Sequence, residues 1–183
     1  MSVSLTFGEY EVLSHYVADA RSLSAEDFRQ RHGDAFLVHE ASASGFKPVP
    51  RTKATVAIDT IAENSVGNVP HLKLNFAVFP VRRTGRSPFP NFISIGRAKS
   101  NDVIIEDESV SKFHAFFRLT DKGDFVLQDG GSKNGTLVDE DIVPDKNKGA
   151  PVVVESGMRV RFGNVEMTFM TVPEFSDLVR RSM

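Results

Sequence analysis

Between Gly96 and Thr136 the chain collects the polar groups that an anion and an extended peptide would need. Arg97 brings a guanidinium, Ser111 a hydroxyl, Lys112 and Lys133 ammonium groups, and Asn134 a carboxamide. They sit in four short motifs: Gly96-Arg97, Asn101-Asp102, Ser111-Lys112-Phe113-His114 and Ser132-Lys133-Asn134-Gly135-Thr136. The planar fork of arginine matches two phosphate oxygens at once, which a lysine point charge does not. A glycine directly after the run FISI lets the backbone turn sharply and holds Arg97 at a loop mouth. Gly130, Gly131 and Gly135 open the backbone around Asn134, whose amide both donates to and accepts from a peptide main chain. Taken alone, Arg97 also suits a surface ion pair with Asp102 or Glu106.

Other chemistries fit less well. A hydrolytic triad of Ser111, His114 and Asp107 or Asp129 lacks the Gly-x-Ser-x-Gly elbow. Triads are defined by geometry, so this reading ranks last without being ruled out by the sequence. His114 opens an apolar run and reads instead as a core histidine whose ring ties loops together. The Gly130–Thr136 segment lacks the spacing of a P-loop and leads into TLV, a strand, not a helix. Asp145-Lys146-Asn147-Lys148-Gly149 begins like a calcium loop, but Ala150 and Ser156 stand where its glycine and bidentate glutamate belong. His15, His32, His39, His71 and His114 form no short ligand pair. No metal and no cofactor are expected, and the chain is read as a non-enzyme.

The elements that must position these residues are mostly strands. From Leu74 onward short runs follow one another, LNFAVFPV, NFISI, DVII, HAFFRL, DFVLQD, GTLV, PVVVE, RVRF and NVEMTFM, separated by turn formers. Asp121-Lys122-Gly123-Asp124 and Gly163-Asn164 fit hairpin turns. This rhythm predicts an all-β antiparallel sandwich, with the phenylalanines filling its core. Ahead of it, Tyr10, Leu13, Tyr16 and Val17 recur at helical spacing, and Ser24 stands three before Asp27 as a capping signal. Phe36-Leu37-Val38 is a possible strand, and ASASGFKPVPRTK reads as a loop. The expected division is an extension of short helices and linker over 1–70, a sandwich over 71–172, and a tail over 173–183 that forms one or two helical turns from Pro173.

With 183 residues, 40% hydrophobic and 25% charged, the chain is long enough for one packed core and an extension. It has no cysteine, so a reducing compartment suits it. Residues 1–70 hold six Lys/Arg and nine Asp/Glu and the remainder sixteen and fifteen, of 22 and 24 in all. That near balance does not suit a nucleic-acid binder, which neutralises many phosphates. No signal peptide and no apolar run of bilayer length is evident. The expectation is a cytoplasmic protein that engages neither nucleic acid nor membrane.

Over residues 74–171 the motifs IGR-x3-NDV, VSKFHA, DFVLQDGGSKNGTLV and SGMRVRFG agree in order and spacing with one family. The chain resembles the forkhead-associated (FHA) domain, a phosphothreonine-recognition fold. The resemblance implies a β-sandwich of about eleven strands with the peptide held by loops at one end. By matching motif, Arg97 and Ser111 would bind the phosphate, Lys112 would add a charged contact, and Asn134 would grip the peptide backbone. Gly96, His114 and Gly135 would shape the loops. Lys133 replaces a frequent small hydroxyl residue and would reach the phosphate or favour acidic ligand residues. Asp139-Glu140 stands where Asn-Gly is common, away from the phosphate motifs. Residues 1–70 have no counterpart, and read either as packing on the sandwich or as an arm over the groove, with Thr52, Thr55 and Thr60 open to modification. The implied function is a phosphothreonine-dependent adaptor whose partner is a phosphothreonine-containing protein, a Ser/Thr kinase or its substrate. The alternative is a phosphate-independent assembly subunit on the same fold.

Overall fold

In the computed structural model of the chain, residues 10–40 and 76–182 are described. The strands are β1 (Glu11–Val12), β2 (Ala35–Glu40), β3 (Phe76–Pro80), β4 (Ile93–Gly96), β5 (Val103–Ile104), β6 (Ala115–Leu119), β7 (Phe125–Asp129), β8 (Thr136–Val138), β9 (Asp141–Ile142), β10 (Val152–Val154), β11 (Arg159–Phe162) and β12 (Val165–Thr171). The helices are α1 (Val17–Ser22), α2 (Ala25–His32) and α3 (Val172–Arg181), with a 3-10 turn over Leu13–Tyr16. The residue-70 boundary, the ASASGFKPVPRTK loop and Thr52, Thr55 and Thr60 lie outside the described residues.

Two sheets face each other as the strand rhythm predicts. One has seven strands in the order β1-β3-β2-β12-β11-β8-β9 and the other five in the order β10-β7-β6-β4-β5. Neighbours among the described strands are antiparallel apart from β4 and β5, which run parallel with Ile95 opposite Val103. That one parallel step comes from the chain crossing back through Arg97–Asp102, and it places two of the polar motifs beside each other. The two expected hairpins form: β6 turns into β7 through a bond from Thr120 N to Asp124 O, and Phe162 faces Val165 across Gly163-Asn164.

Period-two alternation decides what each sheet face buries. Ala35, Leu37, Ala77, Phe79, Phe162, Met167 and Phe169 point between the sheets, against Ile95, Phe117 and Leu127. Phe36, Val38, Val78 and Met170 point the other way, into a second core with Leu13, Tyr16, Ala20, Phe28, Val172, Phe175 and Val179. The seven-stranded sheet is therefore covered on both faces where β3, β2 and β12 run, by the five-stranded sheet and by the helices. A strand between two apolar layers reads as a continuous hydrophobic run, and Ala35-Phe36-Leu37-Val38 is such a run, buried throughout. It belongs to the stretch assigned to the extension, yet it runs between β3 and β12 in the middle of the sheet.

Aromatic rings fill the helical core. Phe36 stacks on Phe175 with centroids 3.9 Å apart, and Tyr16 meets Phe36 and Phe175 edge-on. The phenylalanines are thus divided among two cores and a surface cluster, where the composition suggests a single sandwich core. Ser24 caps α2 by accepting from Asp27 N at 3.1 Å. Helix α3 is longer than the one or two turns expected, ten residues with Pro173 in its first turn, because Val172, Phe175 and Val179 give it a buried stripe. Among the described residues no helix is long and apolar enough to cross a membrane.

Candidate functional site

Three loops leave the sandwich at one end: residues 97–102 after β4, 105–114 after β5, and 130–135 after β7. Backbone bonds lace the first two together. Arg97 N donates to Ser111 O at 2.9 Å, Ala98 N to Lys112 O at 3.1 Å, and His114 N to Ile95 O at 2.8 Å. Gly96 lies so close to this seam that a Cβ there would run into the Lys112 carbonyl. The Asn101 amide, buried beside it, donates to Ala98 O at 2.8 Å and Lys112 O at 2.6 Å.

Arg97 is held by its inner end. Its Nε donates to Val110 O at 3.2 Å, while Nη1 and Nη2 carry no bond within the described structure. The ion pair with Asp102 does not form, because that carboxylate already accepts from Thr84 N, Thr84 Oγ1, Ser94 N and Ser94 Oγ. Glu106 makes no ion pair with Arg97 either. Lys112 and Lys133 are exposed and have no carboxylate partner among the described residues.

The third loop is built on Asp129. Its carboxylate accepts from Gly131 N and Ser132 N at 2.8 Å, from Ser132 Oγ at 2.7 Å, and from Thr136 Oγ1 at 2.6 Å. Burial raises the pKa of this carboxyl, and the four donors more than reverse that, holding it below the ordinary value. Ser132 Oγ also accepts from Gly135 N at 2.9 Å, and Gly135 takes a positive φ of 79°. Ser109 is not among the residues singled out by sequence; Asn101 and Ser132 stand there in the polar motifs without a loop-building role, and Asp129 only as a candidate of the hydrolytic triad, whereas here Asp129 and Ser132 build the third loop. Asp-Gly-Gly-Ser is a side-chain-capped turn signal that points to these two.

The second and third loops meet at Ser111 and Asn134. Ser111 Oγ accepts from Lys133 N at 3.0 Å, which leaves its own hydrogen to be donated elsewhere. Asn134 Nδ2 donates to Ser109 O at 2.7 Å, leaving its Oδ1 without a bond in the described structure.

Beneath them His114 is fully buried. Its Nδ1 accepts from Ser111 N at 3.0 Å and its Nε2 donates to Gly135 O at 3.0 Å. An amide only donates and a carbonyl only accepts, so these partners select the neutral Nε2–H tautomer. Burial pushes the ring's pKa below its ordinary value, against smaller upward pulls from the Gly135 carbonyl and Asp129. The Ser111 hydroxyl is bonded to Lys133 N, and the histidine takes only the serine's backbone N–H. A Ser–His nucleophilic pair is therefore not assembled. Among the described residues no cluster of three His, Asp or Glu side chains could hold a metal ion.

The loops thus carry a preset guanidinium fork, a hydroxyl, two ammonium groups and an amide on a rigid double sheet. A family model for the FHA domain matches residues 93–163. The chain is 32% identical over 121 residues to the glycogen accumulation regulator GarA of Mycolicibacterium smegmatis, covering 63% of this chain and 72% of that protein. It is 32% identical over 78 residues to the oxoglutarate dehydrogenase inhibitor of Corynebacterium efficiens, covering 43% of this chain and 50% of the other. Among solved structures, the N-terminal FHA domain of Rad53p from S. cerevisiae, in complex with a phosphothreonine peptide, aligns with a TM-score of 0.43 and 15% identity over 61% of this chain and 92% of that one. The chain belongs to the FHA-domain family.

Proposed function

We propose that this chain is a non-catalytic module that docks on threonine-phosphorylated proteins. The observation that carries the reading is Arg97, fixed through Nε to a backbone carbonyl with both terminal nitrogens unbonded and no carboxylate beside them. A buried or loop-bound cation without a counter-charge is suited to an anion supplied from outside. A phosphothreonine brings about −1.5 to −2 charge and three acceptor oxygens. Arg97, the Ser111 hydroxyl and Lys112 are the groups assigned to it, with Lys133 at the rim and Asn134 on the neighbouring peptide backbone. Gly96, His114 and Gly135 hold the loops in place.

The names of the two bacterial relatives, a regulator and an inhibitor, support a regulatory role. The partner in this reading is a phosphoprotein, either a Ser/Thr kinase or a protein it modifies, met in the cytoplasm. Nucleic acid and membrane have no part in it.

The test is calorimetric titration of the purified chain with a degenerate phosphothreonine peptide library, using the unphosphorylated library and Arg97→Ala as controls. Binding confined to the phosphorylated library and the parent protein is expected. Equal binding of both libraries would overturn the reading in favour of phosphate-independent assembly.

A further inference from the structure

Four phenylalanines form a surface cluster on the outer face of the five-stranded sheet. Phe89 stacks on Phe92 at 4.7 Å, Phe92 packs on Phe116 at 4.5 Å, and Phe113 lies 5.6 Å from Phe89 and 6.1 Å from Phe116. The apolar outer face of the other sheet, over β2, β3 and β12, is covered by helices, whereas here Phe89 is 41% exposed and Val153, on β10, is 49% exposed. Arg118 closes one side of the cluster, its guanidinium 5.6 Å above the Phe116 ring. Gln128, opposite Phe116 on the same face, has its amide nitrogen bonded to Pro144 O and Gly149 O. What stays open is a compact aromatic face about one ring-pair wide, a feature that marks interaction surfaces more often than chance.

The cluster is continuous with the phosphate loops. Phe113 sits between Lys112 and His114 in the chain, and its ring lies against Gly130, where a Cβ would be 2.5 Å from Phe113 Cε1. Gly130 is the first residue of the loop that carries Lys133 and Asn134. The same ring therefore touches both the aromatic face and the base of the loop that holds the ligand backbone.

We infer that the phosphothreonine partner is gripped at a second point, with an apolar side chain close in sequence to its phosphothreonine lying on the face of Phe89, Phe92 and Phe113. This rests on the function proposed above. The occupant is apolar because the four rings offer aromatic carbon, and the guanidinium beside them, Arg118, lies over the Phe116 ring. It lies near the phosphothreonine because an extended chain advances about 3.3 Å per residue, so a backbone held by Asn134 passes this face within a few positions.

The experiment sorts a phosphothreonine peptide library, randomised at about six positions on either side, on the full chain and on Phe89→Ser, Phe89→Leu and Arg97→Ala. Phe89 is the ring to change because its exposure spares the fold, and an unshifted melting temperature checks this. The full chain is expected to select aliphatic, aromatic or proline residues at one flanking position. Phe89→Ser is expected to lose that selection, with roughly tenfold weaker binding of the chosen peptide, while still requiring phosphate, and Phe89→Leu to restore most of it. Unchanged selection and affinity in Phe89→Ser overturns the second grip and leaves the phosphate reading intact. Failure of the full chain to prefer phosphorylated peptide overturns both. Peptide-free self-association in the ultracentrifuge that Phe89→Ser abolishes would assign the face to a second copy of the chain and overturn the inference as well.

Discussion

The backbone N–H of Lys133 donates to the hydroxyl oxygen of Ser111 across two loops, at 3.0 Å. This one bond gives Ser111 two jobs: it aligns the third loop against the second, and it leaves the serine's own hydrogen to be donated to another acceptor.

Ser111→Ala is accordingly expected to weaken phosphopeptide binding about ten- to hundredfold, the worth of one charge-assisted hydrogen bond. Ser111→Thr keeps the hydroxyl and should lose less. Arg97→Lys should fall between the parent and Arg97→Ala, because an ammonium keeps the charge without the fork. Titrating one selected phosphopeptide into the four variants ranks them, and an unaffected Ser111→Ala would remove this residue from the site.

His114 makes stability depend on pH in a defined direction. Its folded pKa lies below the ordinary value of 6.5, so between those two values the unfolded chain binds more protons than the folded one. Stability then rises with pH through this window; the full contribution is present above 6.5 and is lost as pH falls toward the folded value. His114→Asn, which has no proton to gain, should show a flatter melting temperature between about pH 7 and 5 than the parent. The slope, not the absolute stability, is the readout.

The stacked pair of Phe36 and Phe175 joins the first part of the chain to the last helix. Phe36→Ala or Phe175→Ala should each cost about 3–5 kcal/mol, measured by urea unfolding with a single transition. A chain begun at residue 74, which keeps the motifs from Gly96 onward, lacks β1, β2, α1 and α2, leaves α3 and β12 without their partners, and is expected not to fold. A cooperative melt of that shorter chain would show β2 and the first two helices to be dispensable.

Asp139 and Glu140 both take positive φ, 45° and 78°, at the turn between β8 and β9. Such a turn favours Asn-Gly, and each residue with a Cβ pays about 1 kcal/mol to be there. Glu140→Gly should therefore stabilise the fold by about 1 kcal/mol. The exposed pair it removes, Glu140 with Arg159 at 3.7 Å, is worth little. Phosphopeptide affinity should not change.

The recognition loops were legible because turn chemistry and motif spacing are local. Gly96, the Ser132–Thr136 run and Gly163-Asn164 announce their turns within a few residues. What was harder to read was distant. Phe36-Leu37-Val38 looks like a strand, but nothing nearby says that it pairs with β12, more than a hundred residues on. The helical spacing around Tyr16 was visible, while its burial partner, Phe175, lies in a tail too short to be read as three turns. The surface phenylalanines went unrecognised because composition tells how many rings there are and not which face of a strand bears them. Asn101 acts by bonding the backbone of its own and the neighbouring loop, a role that follows from loop packing that no single motif spells out.

The middle of strands β2 and β12, around Leu37 and Phe169, lies buried between two apolar layers, whereas the loops that carry Arg97, Lys112 and Lys133 have water on one side. In hydrogen–deuterium exchange the two populations of amides should separate by orders of magnitude, with the Leu37 and Phe169 amides last to exchange and those of Lys133 and Gly135 among the first. Bound phosphopeptide would then be seen as slowing confined to the loops, against a pair of strands that keep the same clock in both states.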